Sequence, residues 1–336
     1  MTAGRTAMRP FVLIVASAVL SAAAAAGDAP PGGGFSLPLR CEPGVDCWVM
    51  NYPDTDKGAG AKDHACGPRS YDGHKGTDFA IRDMAAMRAG VPVTAAASGT
   101  VLRVRDGIAD RLMRDEADSA AVQDRDCGNG LVIEHGAGWQ SQYCHMRNGS
   151  LAVKPGETVA RGQALGLVGA SGRTEFPHVH ITIRKDGEVR DPATGRPLEA
   201  PCGPGGAPLW DAGARLAYQP SAIYAAGFAA WPPSTSAIKE NAAGSASLPS
   251  DSRALVLWAT LFGVRKGDRL MLEIVAPDGS AVTRSEAVAA RDQSWRLQYG
   301  GRKLLALEWP PGIYNGRFRL LRPGLNLERR VTLRID

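Results

Sequence analysis

The chain holds six histidines, His64, His74, His135, His145, His178 and His180, and all of them fall in the first 180 of 336 residues. Two form H-x-H at 178–180, at the start of the strand-like run "HVHITIRKDGEV". In a strand, residues i and i+2 project to the same face. His178 and His180 therefore reach toward one centre, while Val179 points the other way, into a core. A second cluster, "GHKGTD" at 73–78, sets His74 and Asp78 four positions apart around a glycine. Imidazole nitrogen and carboxylate oxygen are ligands that zinc accepts, and catalytic zinc sites often use three protein ligands and leave the fourth position to water. His74, Asp78 and His180 make such a set, with His145 and His178 left over as acid and base. A bound zinc lowers the pKa of its water toward about 7. Hydrolysis through a tetrahedral intermediate also needs hydrogen-bond donors and a proton shuttle, which two imidazoles supply. Neither motif is specific alone, because a lone histidine on a strand is usually structural. His64 and His135 are read that way, His135 at a hairpin edge facing the turn.

The elements that must position these groups read as β structure. From about 71 to 190, short runs alternate apolar and polar residues between glycine signals: "GVPVTAAASGTVLRV" (90–104), "NGLVIEH" (129–135), "WQSQYCHM" (139–146), "QALGLVG" (163–169) and the H-x-H run. Such alternation marks half-buried strands, and "HGAG" at 135–138 reads as a hairpin turn. The charged stretch 105–128 breaks the pattern with a partly helical period and reads as an insertion over the domain surface. Strands resume at 254 and continue to the end around a "PDG" turn, with no histidine among them. That pattern predicts a small immunoglobulin-like β-sandwich that binds or packs rather than catalyses.

The expected fold is thus all-β: a catalytic domain built as a β-sheet or barrel-like sandwich with a helical insertion, followed by the immunoglobulin-like sandwich. The expected division is a signal peptide at 1–26, a Cys/Pro/Gly-rich lead-in at 27–70 and a catalytic domain at 71–205 with its insertion at about 105–128. A closing segment and linker at 206–252 and the C-terminal sandwich at 253–336 complete it.

The formal charge of +5 is mild and dispersed, and no Lys/Arg block marks a nucleic-acid partner. A slightly basic surface favours an anionic substrate, weakly. Arg5 and Arg9, the apolar run "FVLIVASAVLSAAAAA" and an Ala-x-Ala pattern ending near Ala26 read as a cleaved export signal. The expected location is periplasmic or extracellular, with no stable membrane insertion once the signal is removed and a monomer as the default state. Six cysteines, Cys41, Cys47, Cys66, Cys127, Cys144 and Cys202, are an even number suited to disulfides in an oxidising compartment, and no C-x-x-C pair argues for thiolate-bound zinc. Spacing does not choose the pairing. Cys41 and Cys47 are close enough for a small loop, and Cys127 and Cys144 flank one hairpin.

In order along the chain, "GHKGTDFA", "VPVTAAASGTV", "CGNGLVIEHGAGWQSQYCHM" and "VKPGETVARGQALGLVGASGRTEFPHVHI" resemble the lysostaphin-like (LytM-type) zinc metallopeptidases that cut peptidoglycan peptides. The likeness covers about 71–190 and rests on H-x-G-x-D (His74 to Asp78), Y-x-H (Tyr143 to His145) and H-x-H. It implies one zinc ion held by His74, Asp78 and His180, with His145 and His178 as the catalytic histidines. In that mechanism zinc polarises the scissile carbonyl and the attacking water, and the histidines activate the water and steady the oxyanion. The implied function is an exported zinc metalloendopeptidase acting on peptidoglycan cross-links or stem peptides. Gly76 is expected to let its loop fold both ligands inward. The chain departs from the family in its longer 105–128 insertion, placed to cover a substrate groove, and in Cys144 within Y-x-H, which with Cys127 implies a disulfide bracing the hairpin. The alternative class is a non-catalytic regulator that binds and activates other wall hydrolases; all five site positions being filled favours the enzyme. A peptidase acting on an exported protein stays open, because function lives in the groove and not in the fold.

Overall fold

Alternating side chains organise the first half of the chain into one twisted antiparallel sheet. The computed structural model describes residues 1, 29–214, 216–241 and 244–336, so the expected export signal, apart from Met1, lies outside the described residues. Strands β1 (Cys47–Asn51), β2 (Thr77–Ile81), β3 (Pro92–Thr94), β4 (Gly99–Arg105), β5 (Asn129–Glu134), β6 (Trp139–Met146), β7 (Thr158–Val159), β8 (Ala164–Leu167), β9 (His178–Lys185) and β10 (Glu188–Arg190) follow in chain order. Eight of them form a sheet ordered β1-β2-β9-β6-β5-β4-β7, with β10 beside β9, and β3 pairs separately with β8. One face of the large sheet is core. Phe79 and Ile81 of β2, Val179, Ile181 and Ile183 of β9, and Leu131 and Ile133 of β5 are buried there. The opposite face carries Asp78, His178 and His180.

The stretch 27–70 is not an irregular lead-in. It contributes β1 to the sheet and Phe35, Leu39 and Tyr52 to the core. Its strand is short and flanked by turn residues, so no alternation long enough to read survives in the sequence. All six cysteines are paired, as Cys41–Cys47, Cys66–Cys202 and Cys127–Cys144. The 105–128 insertion carries one short helix, α2 (Glu116–Ala120), after α1 (Met84–Ala89).

The second half is a β-sandwich that starts earlier than its sequence pattern indicates. β11 (Ala222–Ala229) lies in the stretch read as closing segment and linker, and α3 (Thr235–Glu240) and β12 (Ser247–Leu248) follow it. β11 is "AIYAAGFA", whose small residues hide the alternation. Then come β13 (Ala254–Val264), β14 (Arg269–Val275), β15 (Ala281–Val288), β16 (Gln293–Lys303), β17 (Gly312–Arg322) and β18 (Leu325–Ile335). A three-stranded sheet β11-β13-β16 faces a sheet β12-β18-β17-β14-β15. Apart from β12, the first, second and fifth strands thus oppose the third, fourth, sixth and seventh, a Greek-key division of immunoglobulin-like kind. Leu255, Leu257 and Leu261 meet Leu272, Ile274 and Phe318 between the sheets.

The sandwich docks on the site-bearing face of the first sheet. Trp48 and Met50 of β1 and Ala80 of β2 pack with Tyr224, Trp258, Phe262 and Ile238. Arg69 pins the junction. Its buried guanidinium donates to the carbonyls of Val49, Met50 and Gln219 and lies 4.1 Å from the centre of the Phe262 ring. At the periphery Arg88 pairs with Glu240 at 2.9 Å.

Candidate metal centre

Antiparallel pairing of β2 with β9 sets Asp78 directly opposite His180. Asp78 Oδ1 lies 2.9 Å from His180 Nδ1 and 3.0 Å from His74 Nε2, and the two nitrogens are 3.1 Å apart. A tetrahedral shell with Zn–N and Zn–O near 2.0–2.1 Å has ligand–ligand edges of roughly 3.4 Å. In chemistry and in spacing, this N, N, O triangle fits one face of such a shell.

Each donor is aimed by a partner that sits behind it. His74 Nδ1 donates to Tyr52 O at 2.8 Å, which leaves the Nε2 lone pair facing the triangle. His180 is held the other way round, with Nε2 bonded to Thr182 Oγ1 at 2.9 Å and Nδ1 turned into the triangle. Asn51 Nδ2 donates to Asp78 Oδ2 at 2.9 Å. Such partners orient metal ligands and set their tautomers. Thr182 was visible in principle, as the next same-face residue after His180. Asn51 and Tyr52 were not, because they lie more than twenty residues upstream and come to Asp78 and His74 only through a β-bulge between Val49 and Asn51.

His145 and His178 stand beside the triangle with ring centres 4.5 Å apart. His178 Nε2 is 3.5 Å from Asp78 Oδ1. His145 lies at the end of β6 in the left-handed region, φ 61°, and its Nδ1 donates to Ser171 O at 2.8 Å. His178 Nδ1 sits 2.9 Å from both Phe176 O and Thr174 Oγ1. In both rings the Nδ1 atom is engaged away from the site and Nε2 remains for proton transfer. Phe176 packs on His178 at 4.6 Å between ring centres, and exposed Tyr71 stacks on His74 at 4.3 Å.

Burial opposes charge throughout, and the outcome differs group by group. Burial disfavours the Asp78 carboxylate, yet the surrounding histidines outweigh it and hold its pKa well below the usual carboxylate range. Burial also opposes charge on His74, but the adjoining Asp78 carboxylate wins and raises it above the ordinary value. At His180 burial prevails and lowers the pKa, against the pull of Asp78. Burial, reinforced by His178 and His180, pushes His145 well below 6.5. His145 is therefore a neutral imidazole at pH 7.

Gly76 acts through its lack of a side chain. Its φ is not positive, and the constraint is space: a Cβ there would lie 2.5 Å from His180 Nε2. Tyr143 of the Y-x-H motif is fully buried and its hydroxyl accepts from Ala96 N at 2.8 Å, which places it in the frame rather than in the site. His135 bonds Ser98 O and Ser141 Oγ, and His64 packs edge-on against Tyr52 and Tyr218, so both are structural. The insertion runs along the segment leading to the H-x-H motif. Asp110 Oδ1 accepts from Ala170 N at 2.7 Å, and Met113 N donates to Thr174 O at 2.8 Å. The Cys127–Cys144 disulfide adjoins His145, whose N donates to Cys127 O.

Residues 72–192 match the family model described as Peptidase family M23. The match covers little more than a third of the chain. The chain is 31% identical over 121 residues to an uncharacterized metalloprotease of Haemophilus influenzae, covering 36% of this chain and 20% of that protein. It is 34% identical over 110 residues to the peptidoglycan DD-endopeptidase ShyB of Vibrio cholerae, covering 33% of this chain and 20% of the relative. The chain thus spans about a fifth of the length of the curated relatives it matches. A solved structure, of a zinc containing peptidase from Vibrio cholerae, aligns with 46% of this chain and 41% of its own at 26% identity, with a TM-score of 0.28. A score that low carries no weight for the fold. The M23 segment coincides with the stretch whose motifs resembled the lysostaphin-like peptidases, and it contains both sides of the donor triangle and both flanking histidines.

Proposed function

We propose that this chain is an exported zinc metalloendopeptidase that hydrolyses peptide bonds in peptidoglycan. The observation that carries the reading is the convergence of His74 Nε2, Asp78 Oδ1 and His180 Nδ1 to within 2.9–3.1 Å of one another beside two imidazoles whose Nδ1 atoms are bonded away from the site. The names of the M23 relatives support the substrate class, and three disulfides support an oxidising compartment.

In this reading His74, Asp78 and His180 hold one zinc ion. Bound there, zinc supplies Lewis acidity toward the scissile carbonyl and acidifies water toward a pKa of about 7. The rest of the work falls to side chains. Neutral His145, tied to Ser171 O through Nδ1, presents Nε2 as a proton acceptor. His178, tied to Phe176 O through Nδ1, presents Nε2 on the same side, where in its protonated imidazolium form it would donate to the oxyanion, while the proton that His145 takes from water would pass to the departing amine. Tyr71 and Phe176, packed on His74 and His178, form the apolar shoulders of the mouth.

The test is incubation of the disulfide-intact protein with purified cross-linked peptidoglycan, beside His180→Ala and a sample treated with EDTA, with products read by mass spectrometry. New peptide termini in the untreated wild type alone are expected, and they name the bond. Cleavage that survives His180→Ala or EDTA overturns the reading. Bound zinc without cleavage turns it toward the regulator.

A further inference from the structure

The outer face of the β11-β13-β16 sheet does two jobs. At one end, Trp258 and Phe262 of β13 are buried against β1. At the other end the same face is open. Val256 and Gly301, paired across β13 and β16, floor a groove of about 1050 Å³. A Cβ on Gly301 would meet Leu255 O at 2.0 Å, so the floor stays bare at that point.

The groove walls carry two kinds of group. Trp231 and Tyr299 are 70% and 45% exposed, large aromatic surfaces of a kind that soluble domains seldom leave open without use. Arg253, Arg302 and Lys303 are exposed, and none makes an ion pair among the described residues, while Asp251 is the one carboxylate lining the groove. The excess is cationic and the arginines are suited to bidentate carboxylate recognition. Aromatic faces beside unpaired guanidinium groups fit sugar rings that alternate with carboxylate-bearing substituents.

Position selects among anionic ligands. From Val256 to Phe262 along β13 is six residues, about 20 Å, and the interface at Phe262 also takes in Phe176, which packs on His178. The strand that floors the groove thus runs on to the interface that borders His178, so a long polymer could engage both places. We propose that this groove is a second, non-catalytic binding site for the anionic glycan–peptide polymer that the metal centre attacks. The proposal rests on the function proposed above for the choice of polymer. Binding at the groove raises the effective concentration of peptide at the metal centre without altering its chemistry.

The experiment uses the full chain. Zinc is first removed with a chelator so that nothing is cut, and co-sedimentation with insoluble peptidoglycan is measured for wild type, Trp231→Ala and the double variant Arg302→Glu/Lys303→Glu. All three positions are exposed, and thermal melting checks that each variant is folded. Zinc is then restored, and rates are compared on insoluble peptidoglycan and on a short soluble cross-linked peptide. The expected result is at least tenfold weaker sedimentation for both variants, wild-type binding that weakens as salt rises, slower cutting of the polymer, and unchanged kcat/KM on the short peptide. Variant sedimentation equal to wild type, or no wild-type sedimentation at all, overturns the groove assignment. Failure of wild type to cut either substrate, with sedimentation still dependent on Trp231, overturns the peptidase reading and leaves the groove standing.

Discussion

Gly76 and His180 approach so closely that no side chain fits between them: a Cβ on Gly76 would lie 2.5 Å from His180 Nε2 and 2.6 Å from Ile181 O. The carbonyl belongs to β9, so the loop at Gly76 must shift away from it and the imidazole must turn. Gly76→Ala is expected to turn His180 Nδ1 away from Asp78 and to weaken zinc binding by roughly 10–100-fold, the range for lost ligand orientation. Chelator competition measures it. An unchanged affinity would show that His180 is not held by this contact.

Asn51 makes a single directed bond to the metal-site carboxylate. Asn51→Ala leaves Asp78 Oδ2 buried without that donor, an effect of about 1–3 kcal/mol. Zinc affinity should fall by roughly tenfold or more, with the larger loss in the variant's metal-bound stability. Thermal melts with and without zinc separate the two effects.

Phe176 couples the sandwich to His178. Its ring packs on His178 and on the interface cluster, and neighbouring Glu175 faces Lys239 of α3 at 3.9 Å. Phe176→Ala should lower kcat by roughly tenfold through mispositioning, with zinc content unchanged. Lys239→Ala, which removes that ion pair and the contact of the ammonium with the Trp295 ring at 5.5 Å, should act in the same direction and more weakly. Loss of zinc in Phe176→Ala would place the residue in the frame of the metal site instead.

The Cys66–Cys202 bridge closes a span of 136 residues between the loop before β2 and the segment after β10. Replacing both cysteines with serine should cost about 2–5 kcal/mol. Denaturant titration measures that loss. Zinc affinity well below the unfolding midpoint should persist, since His74, although it shares the loop between β1 and β2 with Cys66, is held by its own bond to Tyr52 O.

Glu273 in the sandwich accepts from Arg284 at 2.6 Å and from Arg317 at 2.5 Å. The Arg284 hydrogen bond first, and Arg317 with it, hold its carboxyl below the ordinary 4.5. A depressed carboxyl contributes stability that is present above the unfolded value and lost as pH falls through the folded one. Glu273→Gln should therefore flatten the pH dependence of stability below about 4.5 and leave its slope at neutral pH unchanged. An acid titration of the melting temperature of both proteins checks this.

The candidate donors and most strands of the site were legible in the sequence alone. H-x-H on a strand needs only the two-residue period of the β-pleat to bring His178 and His180 to one face, and the alternating runs that became β5, β6, β9 and β13 are legible for the same reason. That rule is local. What joins Asp78 to His180 is a strand pairing between residues 102 positions apart, and no local rule sets it. The structure alone decided that Asn51 and Tyr52 stand behind the donor triangle, that Gly76 is required by proximity rather than by φ, and that Cys66 meets Cys202. It also decided that the sandwich begins at β11 and covers the site-bearing face. Each of these depends on long-range packing, where burial of apolar surface chooses among partners that the sequence leaves equivalent.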